Sequence, residues 1–427
     1  MTIHVVQAGE TVASIAEQYQ ITPELLIEIN ELPNPDNLVI GQSLAIRIPE
    51  TVHTVVAGDS LFAIAQQYEV DANKILQNNP RIAATEALNP GDTLVITFAD
   101  EEPLRSILVT GYAYPFIDRT VLRKTLPFLT YLSIFTYGFT PQGDLVPAED
   151  DELIAIAAEF GVEPIMILAP MDAEGNFNSQ LAHEMFQNPE GQSILIENIV
   201  TTMRAKGYVG LDIDFEFILP EDKQAFINFI SNVNTRLDQE GFLTLVALAP
   251  KISGEMTGLL YEAHDYPAIG AVADLVLLMT YEWGYLYGPP MATSPLNNVR
   301  QVLDYGVTVI DRSKILLGVP NYSYDWPLPF VQGETVAEAL SNQEAIQRAA
   351  QYGVTIQFDE TAQAPFYNYT DAQGVEHVVW FDDVRSMNAK FRLIPEYNLT
   401  GAGIWQIMNF FPGMTNVIGS LFTVENP

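Results

Sequence analysis

From residue 104 onward the chain alternates short apolar runs with helix-like segments, and it does so eight times: 106–112, 131–137, 164–169, 210–216, 243–249, 274–281, 314–319 and 401–408. Apolar runs separated by helices belong to a parallel sheet buried on both faces, and eight such units close on themselves. The pattern predicts an α/β fold, a (β/α)8 TIM barrel over 104–427, with any chemistry at the C-terminal strand ends. Between the seventh and eighth runs, 355–359, 365–370 and 376–381 read as short strands with a turn at Asp371-Ala372-Gln373-Gly374. They predict a small α+β insertion over about 330–385. Its aromatics, Phe366, Tyr367, Tyr369 and Trp380, read either as a groove wall or as the insertion's own core, the commoner role of such clusters.

The fourth run carries the chemistry. Leu211, Ile213 and Phe215 alternate with Asp212, Asp214 and Glu216, so a strand sends three apolar side chains to one face and three carboxyls to the other. A solvated polar face is the plain reading of such alternation. Here helix-like segments at 193–206 and 221–239 flank the run, and a strand between helices buries both faces, where lone acids are costly. Side chains two apart on a strand lie roughly 6 to 7 Å apart, close enough for each charge to raise its neighbour's proton affinity. That is how a carboxyl stays protonated near neutral pH.

The first hundred residues hold a repeat. His4-Val5-Val6-Gln7-Ala8-Gly9-Glu10-Thr11-Val12 returns 49 residues later as His53-Thr54-Val55-Val56-Ala57-Gly58-Asp59-Ser60-Leu61, and Ile15, Ala16 and Tyr19 return as Ile64, Ala65 and Tyr68. Each copy runs through a second helical stretch to Asn30 or Asn79, then a glycine and a short strand. The expected unit is βααβ, in modules at 1–49 and 50–99, with Glu10-Thr11 and Asp59-Ser60 capping the first helices. An acidic linker at 99–103 follows.

Composition excludes several partners. With 427 residues, 48% of them hydrophobic, the chain can fill one large core and two small ones. Nineteen Lys and Arg against 54 Asp and Glu give a net charge of -35, which disfavours nucleic acid and anionic membrane surfaces. Cysteine is absent and the five histidines are scattered, so no metal site or cofactor is expected. The opening MTIHVVQAGE reads as neither a Sec signal nor an anchor, and no apolar run is long enough to span a bilayer.

The two copies resemble LysM modules, which implies binding to N-acetylglucosamine-containing glycans such as peptidoglycan and chitin, two weak sites adding avidity. Folded spacers are the other reading. The barrel resembles glycoside hydrolase family 18, whose signature is D-x-x-D-x-D-x-E. Here it is Val209-Gly210-Leu211-Asp212-Ile213-Asp214-Phe215-Glu216, with Val209 replacing the first acid. Met279-Thr280-Tyr281-Glu282 is similar to the family's M-x-Y-D, with Glu for Asp. Gly318-Val319-Pro320-Asn321-Tyr322 matches on the seventh run, and Trp405 stands at the family's tryptophan position. Leu168-Ala169-Pro170-Met171 lacks the usual serine and glycines. Module order and the phrases GLLYEAHDYPA, LMTYEWGYLYGPPMATSP and VVWFDDVRS further resemble the spore cortical fragment-lytic N-acetylglucosaminidases of spore-forming bacteria.

That resemblance implies a monomer that hydrolyses spore cortex peptidoglycan during germination, deposited in the spore without a Sec signal. It also implies a retaining, substrate-assisted mechanism, an exception to the two-carboxylate scheme. Glu216 would serve as acid and then base, Asp214 would hold the acetamido N–H, Asp212 would support Asp214, and Tyr281 would bond the acetamido oxygen. Trp405 would form the floor, with Tyr322, Glu282, Met279 and Trp283 as further substrate contacts. Tyr285, Tyr324 and Trp326 stand on the same loops, where core or surface roles are equally open. A chitinase, a peptidoglycan hydrolase of a non-spore setting, a catalytically inactive chitin- or peptidoglycan-binding lectin and a structural coat protein remain as alternatives.

Overall fold

The computed structural model describes residues 1–85, 87–99, 103–171 and 175–426. Most of the acidic linker, Asp100 to Glu102, lies outside the described residues. Among them no helix is long and apolar enough to cross a membrane.

Eight parallel strands close the barrel: Arg105–Ala113, Tyr131–Phe139, Glu163–Leu168, Gly210–Ile213, Leu243–Leu248, Leu275–Leu278, Ile315–Pro320 and Gly401–Trp405. Closure runs through the first strand, whose Gly111 stands opposite Leu132 of the second and Ile404 of the eighth. Several strands are shorter than their apolar runs. The fourth ladder stops at Ile213 instead of reaching Glu216, and the sixth stops at Leu278 instead of Tyr281. The chain is then released from pairing where the acids and Tyr281 have to reach into the barrel mouth. One last bond, Asp214 N–H to the Leu168 carbonyl at 3.0 Å, holds the exit of the fourth strand.

The insertion is larger than expected. It begins at Ser323, not near 330, because Ser323–Leu328 is the second strand of a five-stranded antiparallel sheet, paired with Glu338–Leu340 on one side and Glu376–Trp380 on the other. Ala364–Thr370 and Gln357–Asp359 complete the sheet, and helix Asn342–Tyr352 covers it. Its proline-bearing segment, Tyr324 to Pro329, hides the strand, since proline weakens any strand reading. Tyr367 and Tyr369 are buried in the insertion's core, and Phe366 stacks on Trp380 at 4.6 Å.

The first repeat is the expected βααβ unit: Thr2–Val5, Val12–Tyr19, Pro23–Asn30 and Ser43–Ile46. The second, which opens at Pro49 and not at 50, gains a helix: Pro49–Thr54, Leu61–Tyr68, Ala72–Asn78, Pro80–Thr85 and Thr93–Phe98. Asn79 leaves helical conformation and Pro80, which has no N–H to continue the helix, starts a new one. Thr11 and Ser60 are the N-caps. Glu10 and Asp59 instead accept from His4 and His53 Nε2, each at 2.9 Å. The repeated asparagines bridge helix to closing strand: Ala45 N–H donates to Asn30 Oδ1 at 2.7 Å and Val95 N–H to Asn79 Oδ1 at 2.9 Å. Both modules are fastened to the barrel. Asn73 Nδ2 donates to the Phe160 carbonyl (2.7 Å), Gln77 Nε2 to that of Pro127 (2.7 Å), and Arg385 Nη2 to that of Gly41 (3.1 Å).

Candidate active site

Leu211, Ile213 and Phe215 pack outward, Phe215 stacked on Phe226 of the following helix at 5.7 Å. The alternation therefore turns Asp212, Asp214 and Glu216 inward, in rising order of exposure: Asp212 at 0%, Asp214 at 6% and Glu216 half-buried at the mouth. Val209, at the signature's first position, packs with the apolar interior of the barrel.

Burial governs the proton chemistry of this row. Asp212 is lifted from 3.8 to about 7 by desolvation, partly offset by the hydrogen bond that Tyr112 donates to its Oδ2 at 2.7 Å. Asp214 is raised by burial and by the charge of Asp212. Glu216 is raised by burial, then by the charges of Asp214 and Glu282. Such a row keeps at least one proton at neutral pH. Asp212 Oδ1 and Asp214 Oδ1 are buried and take no hydrogen bond from any described residue, so the row holds acceptor capacity in reserve for a donor.

A cavity of about 400 Å³ lies over Asp214 and Glu216. Tyr281 and Met279 reach it from the end of the sixth strand, Glu282 and Trp283 from the loop beyond, and Trp405 from the end of the eighth. Trp405 is wedged edge-on among Tyr112, Tyr114 and Phe135, with centroids 5.8, 6.0 and 5.2 Å away. Burial pushes the Tyr281 phenol well above its ordinary value, so it stays a hydrogen-bond donor.

Tyr322 departs from its expected role. It does not line the cavity. Buried under the insertion's sheet, it donates its hydroxyl to Glu282 Oε1, and Tyr324 donates to the same oxygen at 3.2 Å. The two phenols hold Glu282, which adopts a left-handed φ of 66°, against the cavity wall. Trp326 is fully buried, its Nε1 bonded to the Gly288 carbonyl at 2.9 Å, whereas Tyr285 is exposed.

Several lining residues escape sequence reasoning. Tyr112 and Tyr114 close the first strand, Phe135 belongs to the second, and Phe177, Phe217 and Tyr261 come from loops after the third, fourth and fifth. The signal available was positional: aromatic residues at the C-terminal ends of barrel strands face the site. Phe177 and Phe217 meet at 6.3 Å and line the same cavity as Glu216 and Trp405.

A model of glycosyl hydrolases family 18 matches residues 174–409. The chain belongs to this family. It is a glycoside hydrolase, and two LysM domains match at residues 4–47 and 53–97. Likeness to relatives extends over the full length: the cortical fragment-lytic enzyme of Bacillus subtilis (strain 168) is 38% identical over 99% of both chains, and that of Bacillus anthracis is 35% identical over 98% of both. The crystal structure of the Bacillus megaterium QM B1551 spore cortex-lytic enzyme SleL superimposes with a TM-score of 0.84 at 39% identity, covering 100% of this chain and 99% of that one. The match to the family model begins at residue 174, after the third strand. The first three barrel strands, including Tyr112, thus enter this family 18 site from outside the matched segment.

Proposed function

We propose that this family 18 hydrolase is an N-acetylglucosaminidase of spore cortex peptidoglycan that works during germination, acting as a monomer in the spore. The buried oxygen of Asp214, left without a donor beside an acid of raised proton affinity, carries the reading. A substrate 2-acetamido N–H satisfies that oxygen. The substrate class comes from the cortex-lytic relatives, which match the whole chain including both LysM modules.

In this reading Glu216 gives its proton to the glycosidic oxygen as the C1–O bond breaks, and the acetamido carbonyl oxygen attacks C1 to form a cyclic oxazolinium ion. Asp214 accepts the acetamido N–H and balances the positive charge that develops on it, with Asp212, held by Tyr112, acting on Asp214 through its charge. Tyr281 donates to the acetamido oxygen and aligns it for attack. Trp405 lies against the apolar face of the sugar. Glu216, now ionised, takes a proton from water, whose oxygen opens the ring at C1 with net retention. The sugar at the cleaved position must carry a free acetamido group, which N-acetylglucosamine has and a muramic lactam lacks.

The test incubates wild type and Glu216→Gln with purified cortex fragments and identifies the new reducing ends by mass spectrometry. Reducing-terminal N-acetylglucosamine from wild type alone supports the reading. Reducing-terminal muramic acid, or no product from either form, overturns it.

A further inference from the structure

The two repeats present the same groove in unequal settings. In the first copy Thr11, Val12 and Ile27 line a groove of about 310 Å³ whose walls all come from the module itself. In the second, Ser60, Leu61 and Leu76, each 49 residues further on, line the corresponding groove, here about 480 Å³. One wall of the second groove is not LysM. It is built from Arg123, Glu159 and Phe160 of the barrel.

That wall is held in place. Asn73, which stands 49 residues after the exposed Glu24 of the first copy, donates its amide to the Phe160 carbonyl at 2.7 Å. Arg123 pairs with Glu159 at 2.7 Å. Arg123 lies in the last turn of helix Arg119–Thr125, and Phe160 ends helix Asp151–Glu159 just before the third strand begins. Both stand at the N-terminal ends of the barrel strands, whereas Glu216, Tyr281 and Trp405 stand at the C-terminal ends. A groove lined by polar Asp59, Ser60 and Asn73 together with apolar Leu61, Leu76 and Phe160 suits an amino-sugar chain, which has polar edges and an apolar ring face.

We infer that the second LysM groove and the barrel residues Arg123, Glu159 and Phe160 form one composite site for N-acetylated glycan, at the end of the barrel opposite the catalytic cleft. This rests on the reading of the protein as a peptidoglycan hydrolase whose modules hold the polymer. The segment held here is not the segment being cut. The composite site therefore serves retention on polymeric material and adds nothing to the turnover of short fragments.

The test uses the full-length chain carrying Glu216→Gln, so that insoluble peptidoglycan is bound without being digested, and measures pelleting isotherms. Glu159→Trp fills the groove from the barrel side and Ala72→Trp from the module side. Glu152→Trp, on an exposed position of the same barrel helix, is the control. The expected result is about tenfold weaker retention for Glu159→Trp and for Ala72→Trp, none for Glu152→Trp, and unchanged hydrolysis of soluble fragments when these three changes are made with Glu216 restored. Unchanged melting temperatures exclude misfolding as the cause. Wild-type retention by Glu159→Trp, whether or not Ala72→Trp is impaired, overturns the composite site. If the parent itself does not pellet, the modules do not hold this polymer and the inference falls with that part of the functional reading, while fragment hydrolysis tests the catalytic part separately.

Discussion

The Tyr112 hydroxyl donates to Asp212 Oδ2 at 2.7 Å, joining the first barrel strand to the fourth across the buried interior. Neither residue's partner is near it in the chain, yet this bond sets the lowest member of the carboxyl row. Asp212 does not line the cavity, so its influence on substrate passes through Asp214.

Tyr112→Phe removes the one donor among the described residues that eases ionisation of Asp212. A hydrogen bond to a charged group is worth about 1.5 kcal/mol or more, so kcat on cortex fragments is expected to drop about tenfold. KM stays near wild type because the cavity wall keeps its shape. The acidic limb of the kcat profile moves to higher pH, since Asp212 then holds its proton more firmly. An unchanged kcat and profile would show that Asp212 needs no donor.

Asp212→Asn separates stability from activity. The folded carboxyl keeps its proton up to about pH 7, while the unfolded one ionises near 3.8. The folded state thus binds more protons between those values. Its stability is full below the unfolded value, declines as pH rises, and is lowest above about 7, a difference of up to about 4 kcal/mol. The asparagine form escapes that decline. It is expected to melt higher than wild type at pH 8, with the gain vanishing near pH 4, and to lose most activity. Thermal unfolding at both pH values checks this, and a lower melting point at pH 8 would contradict it.

Glu282→Gln tests the wall that the insertion supplies. The Glu282 carboxylate is the third cause, after burial and Asp214, that raises Glu216. Without it Glu216 releases its proton at lower pH, so the alkaline limb of kcat is expected to move to lower pH. Tyr322→Phe, which loosens Glu282 without removing its charge, moves the limb less.

How far the site could be read from sequence follows from the range of the interactions that build it. The period-2 alternation from Leu211 to Glu216 is local, and it placed three acids inward before any contact was known. Trp405 and Tyr281 were legible because strand ends in a barrel converge. The bond of Tyr322 to Glu282 is not legible from sequence, since its environment depends on Ser323–Leu328 pairing with Glu376–Trp380, some fifty residues away, under a proline-bearing sequence that obscures the strand. Tyr112 is the opposite case. It closes an apolar run and resembles core until its partner, 100 residues later, is in view. The extra helix at Pro80–Thr85 was missed because Asn79 matched Asn30 of the first repeat, and the copies diverge just afterwards.

Phe217 offers the last test, because it combines strain with exposure. It follows Glu216 directly, takes a left-handed φ of 55°, lies 40% exposed and lines the cavity beside Phe177. A bulky side chain in that conformation costs about 1 kcal/mol or more, a cost that persists at functional sites when the ring has work to do. Phe217→Gly relieves the strain and deletes the ring. If the ring supports the sugar beyond the cleaved bond, KM for cortex fragments rises about tenfold, as loss of an aromatic contact of somewhat over 1 kcal/mol predicts. Hydrolysis of a glycosyl fluoride, whose leaving group is too small to touch the ring, then keeps its wild-type rate. Equal losses on both substrates would instead mean that Phe217 positions Glu216, and that the strained backbone belongs to the acid rather than to the sugar.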